Sequence, residues 1–407
     1  MAAIPPAGER CGIDTVAVAR VERMLAANDA ASIGRLFSAR ELADAGEGPG
    51  RAASLAARFA AKEACLKLFP RETALEAIAA SDFSVERDDY GAPRVVPGPA
   101  AEVVMGRYRI ARIALSMSHD ATNANAVAVA ERATTDVPAI GRFVWRWMPF
   151  RRAVVMDNLR RVYGERVDEA ELVRLAQAHY AHLARLLVEF MRFRWLSDER
   201  KAAIVRVENI DLVRAVHARG KGVLILTGHF GNWEVATIAG VRKVPEARGR
   251  FHFVRRAIKP RWLESLVTRR FQRAGFGVLP KRGSLDALVE RLEAGDLVVF
   301  PFDQHAHGRD GVAVEFFGHP AGTFRSLAII AQATGAPVMP AASWREPDGS
   351  HVLRFEEPLE PIACDDPNEE LRRNTRAYNA ALERLVVRHP EQWWWVHRRW
   401  KATGARR

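Results

Sequence analysis

The residues best suited to chemistry in this 407-residue chain fall into two groups far apart in sequence. In one, His229 and Glu234 stand five positions apart in Gly228-His-Phe-Gly-Asn-Trp-Glu234, directly after the apolar run Val223-Leu-Ile-Leu226. A histidine emerging at the carboxyl end of a buried strand sits where α/β sheets place their chemistry. A carboxylate bonded to one imidazole nitrogen fixes the tautomer and raises the basicity of the other. The result is a general base for a hydroxyl or amine acceptor. In a continuous helix this offset leaves the two side chains roughly 140° apart. They meet only if Phe230-Gly231-Asn232 turns and Glu234 enters a first helical turn, and Gly231 permits that turn.

The second group is Asp14, Glu63, Lys67 and His119. Asp14 ends a predicted strand, and Glu63 and Lys67 share one face of a predicted helix, four residues apart. Two hard carboxylates from separate elements suit Mg²⁺, with a cation beside them to hold a phosphate. The spacing fits equally an exposed Glu–Lys helix pair, and His119 by itself fits a turn histidine.

These residues require elements to carry them. Cys11–Val16 reads as a strand, Ser54–Leu68 as an alanine-rich helix, Ser81–Val85 and Ile113–Met117 as strands, with a turn at Asp89-Tyr-Gly91. A polar stretch, Ala133–Pro138, follows the strand-like run Asn125–Ala130 and marks a boundary. Beyond it, Gly141 to Phe193 is helical. Strands at 223–226, 297–300 and 337–340 then alternate with helices near 233–241, 284–293 and 324–334, which predicts an α/β sheet.

The formal charge of +12 is uneven. Residues 1–135 hold 16 Lys+Arg against 17 Asp+Glu, and the remainder holds 45 against 32, so the positive field belongs to the second part. Such a field favours an anionic partner. No nucleic-acid reader motif accompanies it, which points away from nucleic acid. Cys11, Cys65 and Cys364 lack metal-ligand spacing and read as isolated thiols in a reducing compartment. No secretory signal or membrane-spanning run is expected.

The first part resembles the holo-acyl-carrier-protein synthases, trimeric 4′-phosphopantetheinyl transferases. The matching segments, in order, are Gly12–Arg20, Phe37–Leu42, Ser54-Leu-Ala-Ala-Arg-Phe-Ala-Ala-Lys-Glu-Ala64, Asp89-Tyr-Gly-Ala-Pro93 and Leu115-Ser-Met-Ser-His-Asp120. The resemblance implies an α+β fold over residues 9–133, coenzyme A as donor and transfer of its phosphopantetheine to an acyl carrier protein. It places Mg²⁺ on Asp14 and Glu63, and coenzyme A near Lys62, Lys67 and His119. Arg20 would meet the carrier or a neighbouring subunit of a homotrimer. One departure is local. Leu68-Phe-Pro-Arg-Glu-Thr73 replaces a glycine-rich phosphate loop, and Pro70 has no N–H to donate.

Residues 138–402 resemble the lipid A lauroyl/myristoyl acyltransferases, within the glycerol-3-phosphate acyltransferase-like α/β fold and with a helical lead-in. The resemblance rests on Gly228–Glu234, Val254-Arg-Arg-Ala-Ile-Lys-Pro260, Phe302-Asp-Gln304, Val314–Pro320, Thr323–Ser326 and Pro390-Glu-Gln-Trp-Trp-Trp-Val-His-Arg-Arg-Trp-Lys401. It implies acyl transfer from carrier protein to a membrane lipid or glycolipid, with His229 as base and Glu234 as its partner. Arg255, Asp303 and Arg325 would support acceptor or phosphate binding. Asp303 fits equally a loop carboxylate paired with an arginine.

Where the family carries a membrane-spanning helix, this chain has Ile140-Gly-Arg-Phe-Val-Trp-Arg-Trp-Met-Pro-Phe-Arg-Arg152. That mixture suits an anionic bilayer interface or an amphipathic packing helix. The expected location is peripheral, on the cytoplasmic face of the bacterial inner membrane. Two functional readings follow: a bifunctional enzyme, or an acyltransferase whose first part is a carrier-docking or trimerisation module.

Overall fold

The computed structural model describes residues 10–148, 150–164, 166–193, 195–244, 248–255, 261–280, 285–306 and 308–401. They form two compact units, residues 1–135 with 163–172, and residues 136–162 with 173–407.

In the first unit, β1 (Arg10–Ala17), β5 (Asn123–Arg132) and β4 (Ile110–His119) form an antiparallel sheet in the order β1-β5-β4, and β2 (Phe83–Arg87) pairs with β3 (Pro93–Pro97) as a hairpin. The helix Arg51–Leu66 buries Leu55, Ala56, Ala60, Ala61, Ala64 and Cys65 against the sheet. Its alanines let strand and helix approach closely. A Cβ at Gly12 would collide with the Ala64 carbonyl, so only glycine fits where β1 crosses.

The expected helical lead-in resolves into three helices, Ala139–Trp147, Arg152–Tyr163 and Glu169–Phe193, which belong to the second unit except for their residues within 163–172. A seven-stranded sheet follows, built from β6 (Val205–Glu208), β7 (Val223–Thr227), β8 (Phe251–Arg255), β9 (Phe276–Pro280), β10 (Leu297–Pro301), β13 (Val338–Arg345) and β14 (His351–Phe355). Its order is β6-β14-β13-β7-β10-β8-β9, and β11 (Gly311–Phe316) with β12 (His319–Phe324) forms a separate hairpin. All neighbours in the sheet are parallel except β13 and β14. The central strands β7 and β10 are continuous apolar runs, as strands covered on both faces must be. Their register pairs Thr227 with Pro301, so both strands end at one level. Among the described residues no helix is long and apolar enough to cross a membrane.

Candidate active site

The level ends of β7 and β10 bring His229 and Asp303 together, each two residues past its strand. The His229 backbone N–H donates to Asp303 Oδ2 at 2.8 Å, and the ring Nδ1 lies 2.9 Å from Oδ1. Trp393 Nε1 donates to Oδ2 at 3.0 Å. Asp303 is buried, whereas the His229 side chain keeps 20% exposure. Burial opposes ionisation of both groups. Mutual attraction overrides it, holding Asp303 down at about 2 and His229 above its ordinary 6.5. With Nδ1–H given to Asp303, Nε2 carries the lone pair, and the Gln304 amide nitrogen is 3.5 Å from it. Trp233 stands edge-on to the imidazole at 4.9 Å, and Trp394 lies 6.4 Å away.

This corrects two expectations. The carboxylate on Nδ1 belongs to Asp303, while Glu234 lies in the first turn of the helix Trp233–Gly240, partly buried. Asp303 is therefore committed to His229 and Trp393 rather than turned towards an acceptor. Arg255 ends β8, its side chain outside the described residues, and Arg325 is exposed before the helix Ser326–Thr334.

The loop holding His229 is fixed on several sides. A Cβ on Gly228 would come within 2.9 Å of the Asp303 carboxyl carbon. Gly231 has φ +53°, and a Cβ there would meet Ser343 O at 2.6 Å. Phe230 forms an antiparallel bridge to Trp393, and Trp394 N–H donates to His229 O at 3.1 Å. Gln392 clamps Arg345 through both backbone groups, accepting from its N–H at 2.8 Å and donating to its carbonyl at 3.0 Å. Arg345 pairs with Glu189, which also accepts from Asn232 Nδ2 at 3.0 Å. Arg399, fully buried, donates to Gly322 O, Thr323 Oγ1 and Asn379 Oδ1. The Pro390–Lys401 segment was conspicuous in sequence, but no spacing signal reveals that its first tryptophan orients Asp303.

In the first unit, Lys67 Nζ on the helix Arg51–Leu66 boundary donates to Asp14 Oδ1 at 2.8 Å and to Ile13 O at 2.7 Å. Glu63, one turn earlier, is partly buried, and His119 is exposed at the end of β4. Arg20 stacks on Phe59 at 5.5 Å. Lys62 corrects the expectation of coenzyme A contact. It is completely buried, donating to Glu41 Oε2 at 2.9 Å and Phe83 O at 2.6 Å. Burial pulls its pKa below the ordinary lysine value against the opposing charge of Glu41. The turn replacing the glycine-rich loop buries Leu68 and Phe69, and Leu68 O accepts from Arg10. Among the described residues no group of three or more His, Cys, Asp or Glu could hold a metal. Mg²⁺ commonly takes only one or two carboxylates from a protein and fills its remaining positions with waters and substrate phosphates, so such a group is not a requirement for it.

Residues 129–402 match the family described as bacterial lipid A biosynthesis acyltransferase, and residues 10–128 match the 4′-phosphopantetheinyl transferase superfamily. The chain is 24% identical to the lipid A biosynthesis lauroyltransferase of Escherichia coli K12, over 64% of this chain and 83% of that protein. It is 26% identical to the phosphatidylinositol mannoside acyltransferase of Mycolicibacterium smegmatis, over 60% and 78%. The N-terminal part is 37% identical to a holo-[acyl-carrier-protein] synthase of Anaeromyxobacter, over 30% of this chain and 93% of that protein. Among solved structures, holo-[acyl-carrier-protein] synthase from Neisseria meningitidis aligns at 30% identity and TM-score 0.27, over 30% of this chain and 98% of that one.

Proposed function

This chain belongs to the bacterial lipid A biosynthesis acyltransferases and, through its N-terminal part, to the 4′-phosphopantetheinyl transferases, and on that premise we propose a bifunctional lipid-synthesis enzyme. The observation that carries the acyltransferase half is the His229–Asp303 pair, 2.9 Å apart at the ends of adjacent parallel strands. His229 Nε2 removes the proton from an acceptor hydroxyl as its oxygen attacks the carbonyl carbon of an acyl-carrier thioester. A C–O bond forms, the C–S bond breaks, and the imidazolium returns the proton to the departing thiolate. Asp303 stabilises the imidazolium and fixes its tautomer without touching substrate. The aromatic wall of Trp233 and Trp394 limits water, protecting the thioester from hydrolysis. The acceptor is a membrane lipid or glycolipid, the class named for the relatives.

In the first unit, Asp14 and Glu63 would hold Mg²⁺, which when bound neutralises phosphate charge on coenzyme A. Lys67 and Arg71 supply cationic charge near the donor, His119 lines the same end of the sheet, and Arg20 faces the carrier protein or a second copy in a trimer. The segment 140–152 rests on an anionic bilayer surface at the cytoplasmic face of the inner membrane. A second reading keeps only acyl transfer and makes the first unit a carrier-docking module. The buried Leu68–Phe69 turn in place of a phosphate loop favours it.

Glu63→Ala and His229→Ala, each assayed for both activities, separate the readings. Under the bifunctional one, Glu63→Ala abolishes labelling of an apo-carrier protein by a coenzyme A analogue in Mg²⁺ and spares acyl transfer. His229→Ala does the reverse, with acyl transfer falling about 10²–10⁴-fold. Full acyl transfer by His229→Ala refutes the base assignment, and no labelling by the parent chain leaves the docking reading.

A further inference from the structure

The end of the helix Glu169–Phe193 carries a feature that the lipid-transfer chemistry does not use. Leu187, Val188 and Met191 are 59%, 46% and 47% exposed, and Trp195 just beyond is 69% exposed. At 100° per residue the three helical positions fall on one arc, with the exposed Arg185 and Arg192 along its edge. Glu189 lies in the same turn but faces inward, binding Asn232 at 3.0 Å and Arg345 at 2.7 Å. Asn232 is three residues from His229, so this apolar arc is pinned to the loop that carries the base.

The same helix carries a second exposed apolar surface on a neighbour packed against its earlier turns. Ala139–Trp147 packs so tightly on Glu169–Phe193 that a Cβ at Gly141 would collide with the Gln177 carbonyl. Trp145 meets Tyr180 edge-on at 5.6 Å, and Tyr180 Oη donates to Phe150 O at 2.5 Å. That helix and its exit leave Phe143, Trp147, Met148 and Phe150 57–66% exposed, beside exposed Arg142 and Arg146. Apolar side chains bordered by arginines complement one occupant, a bilayer with anionic headgroups, in which the apolar atoms leave water and the guanidiniums meet phosphates.

We infer that the exposed end of this helix, Leu187, Val188 and Met191 with Trp195 beyond it, is a second membrane contact and forms the lipid-facing rim over which the acceptor reaches His229. This rests on the acyltransferase reading for its acceptor, but its test does not. The full chain is sedimented with vesicles of phosphatidylglycerol and phosphatidylcholine, and compared with a Leu187→Glu, Met191→Glu double variant. Binding is expected to weaken about tenfold or more in the variant. Hydrogen exchange of the parent chain, which needs no variant to fold, is expected to slow across 187–195 when vesicles are added.

Parent-like binding by a folded variant, or vesicle binding without protection of that stretch, overturns the proposal. So does light scattering that shows a dimer dissociating in the variant, which would make the face an interface between copies. Transfer to a detergent-dispersed acceptor is scored separately. A chain that docks on vesicles yet transfers nothing refutes the enzyme reading and leaves the surface standing.

Discussion

Asp303 accepts three hydrogen bonds, from the His229 backbone, the His229 ring and the Trp393 indole. Because the charged carboxylate favours the imidazolium, His229 titrates above 6.5. The neutral ring is the base, so acyl transfer is expected to rise as pH climbs through that raised value. The ion pair's contribution to stability runs the other way on the histidine side, present in full below 6.5 and fading above the raised value. On the aspartate side it is lost only as pH falls towards about 2. Asp303→Asn removes the charge that holds the imidazolium. Its kcat should fall by about 10²-fold or more, and the acid limb of its pH–rate profile should move to lower pH. An unmoved limb would show that Asp303 does not set the base. The His229 position was legible from its strand and glycine context. Its carboxylate was not, because Asp303 lies 74 residues away, and only strand adjacency joins them.

At the scale of elements, the helix Arg51–Leu66 and its exit carry two lysines with opposite fates. Lys62 is sealed against Glu41, which also accepts from Ser38 N and Val85 N and so ties the helix Ala39–Ala45 to β2. Lys67 sits half exposed beside Asp14. Removing one partner of a buried pair strands the other charge. Lys62→Ala should therefore lose about 3–5 kcal/mol of stability in urea titration. Lys67→Ala should change stability by no more than about 1 kcal/mol and instead weaken carrier labelling. Equal stability of the two variants would contradict the structural assignment of Lys62. Helical periodicity fixed which residues share a face of this helix. It could not say that Glu41, on another helix, would meet Lys62 inside the core.

At the scale of the whole molecule, the charge bias is the property most open to experiment. The excess of 45 basic over 32 acidic residues lies beyond residue 135, and exposed arginines border both apolar surfaces of the second unit. Attraction to anionic vesicles should weaken when salt is raised from roughly 0.1 M to 1 M, as the screening length shrinks from about 10 Å to 3 Å. Apolar insertion should survive that change, leaving residual binding. Complete insensitivity to salt would remove the electrostatic part of the reading. The sequence by itself determined the two families, the unequal charge and the placement of His229 just past a strand, because motifs, periodicity and composition are local properties of the chain. Tertiary structure alone decided that Asp303 rather than Glu234 holds the imidazole and that Trp393 steadies that carboxylate. It alone decided that Lys62 is structural and that Leu187, Val188 and Met191 face outward while Glu189 turns in towards Asn232. Each of these depends on which strands lie side by side and which helix face is left uncovered, and residues distant in sequence meet only when the sheet is assembled.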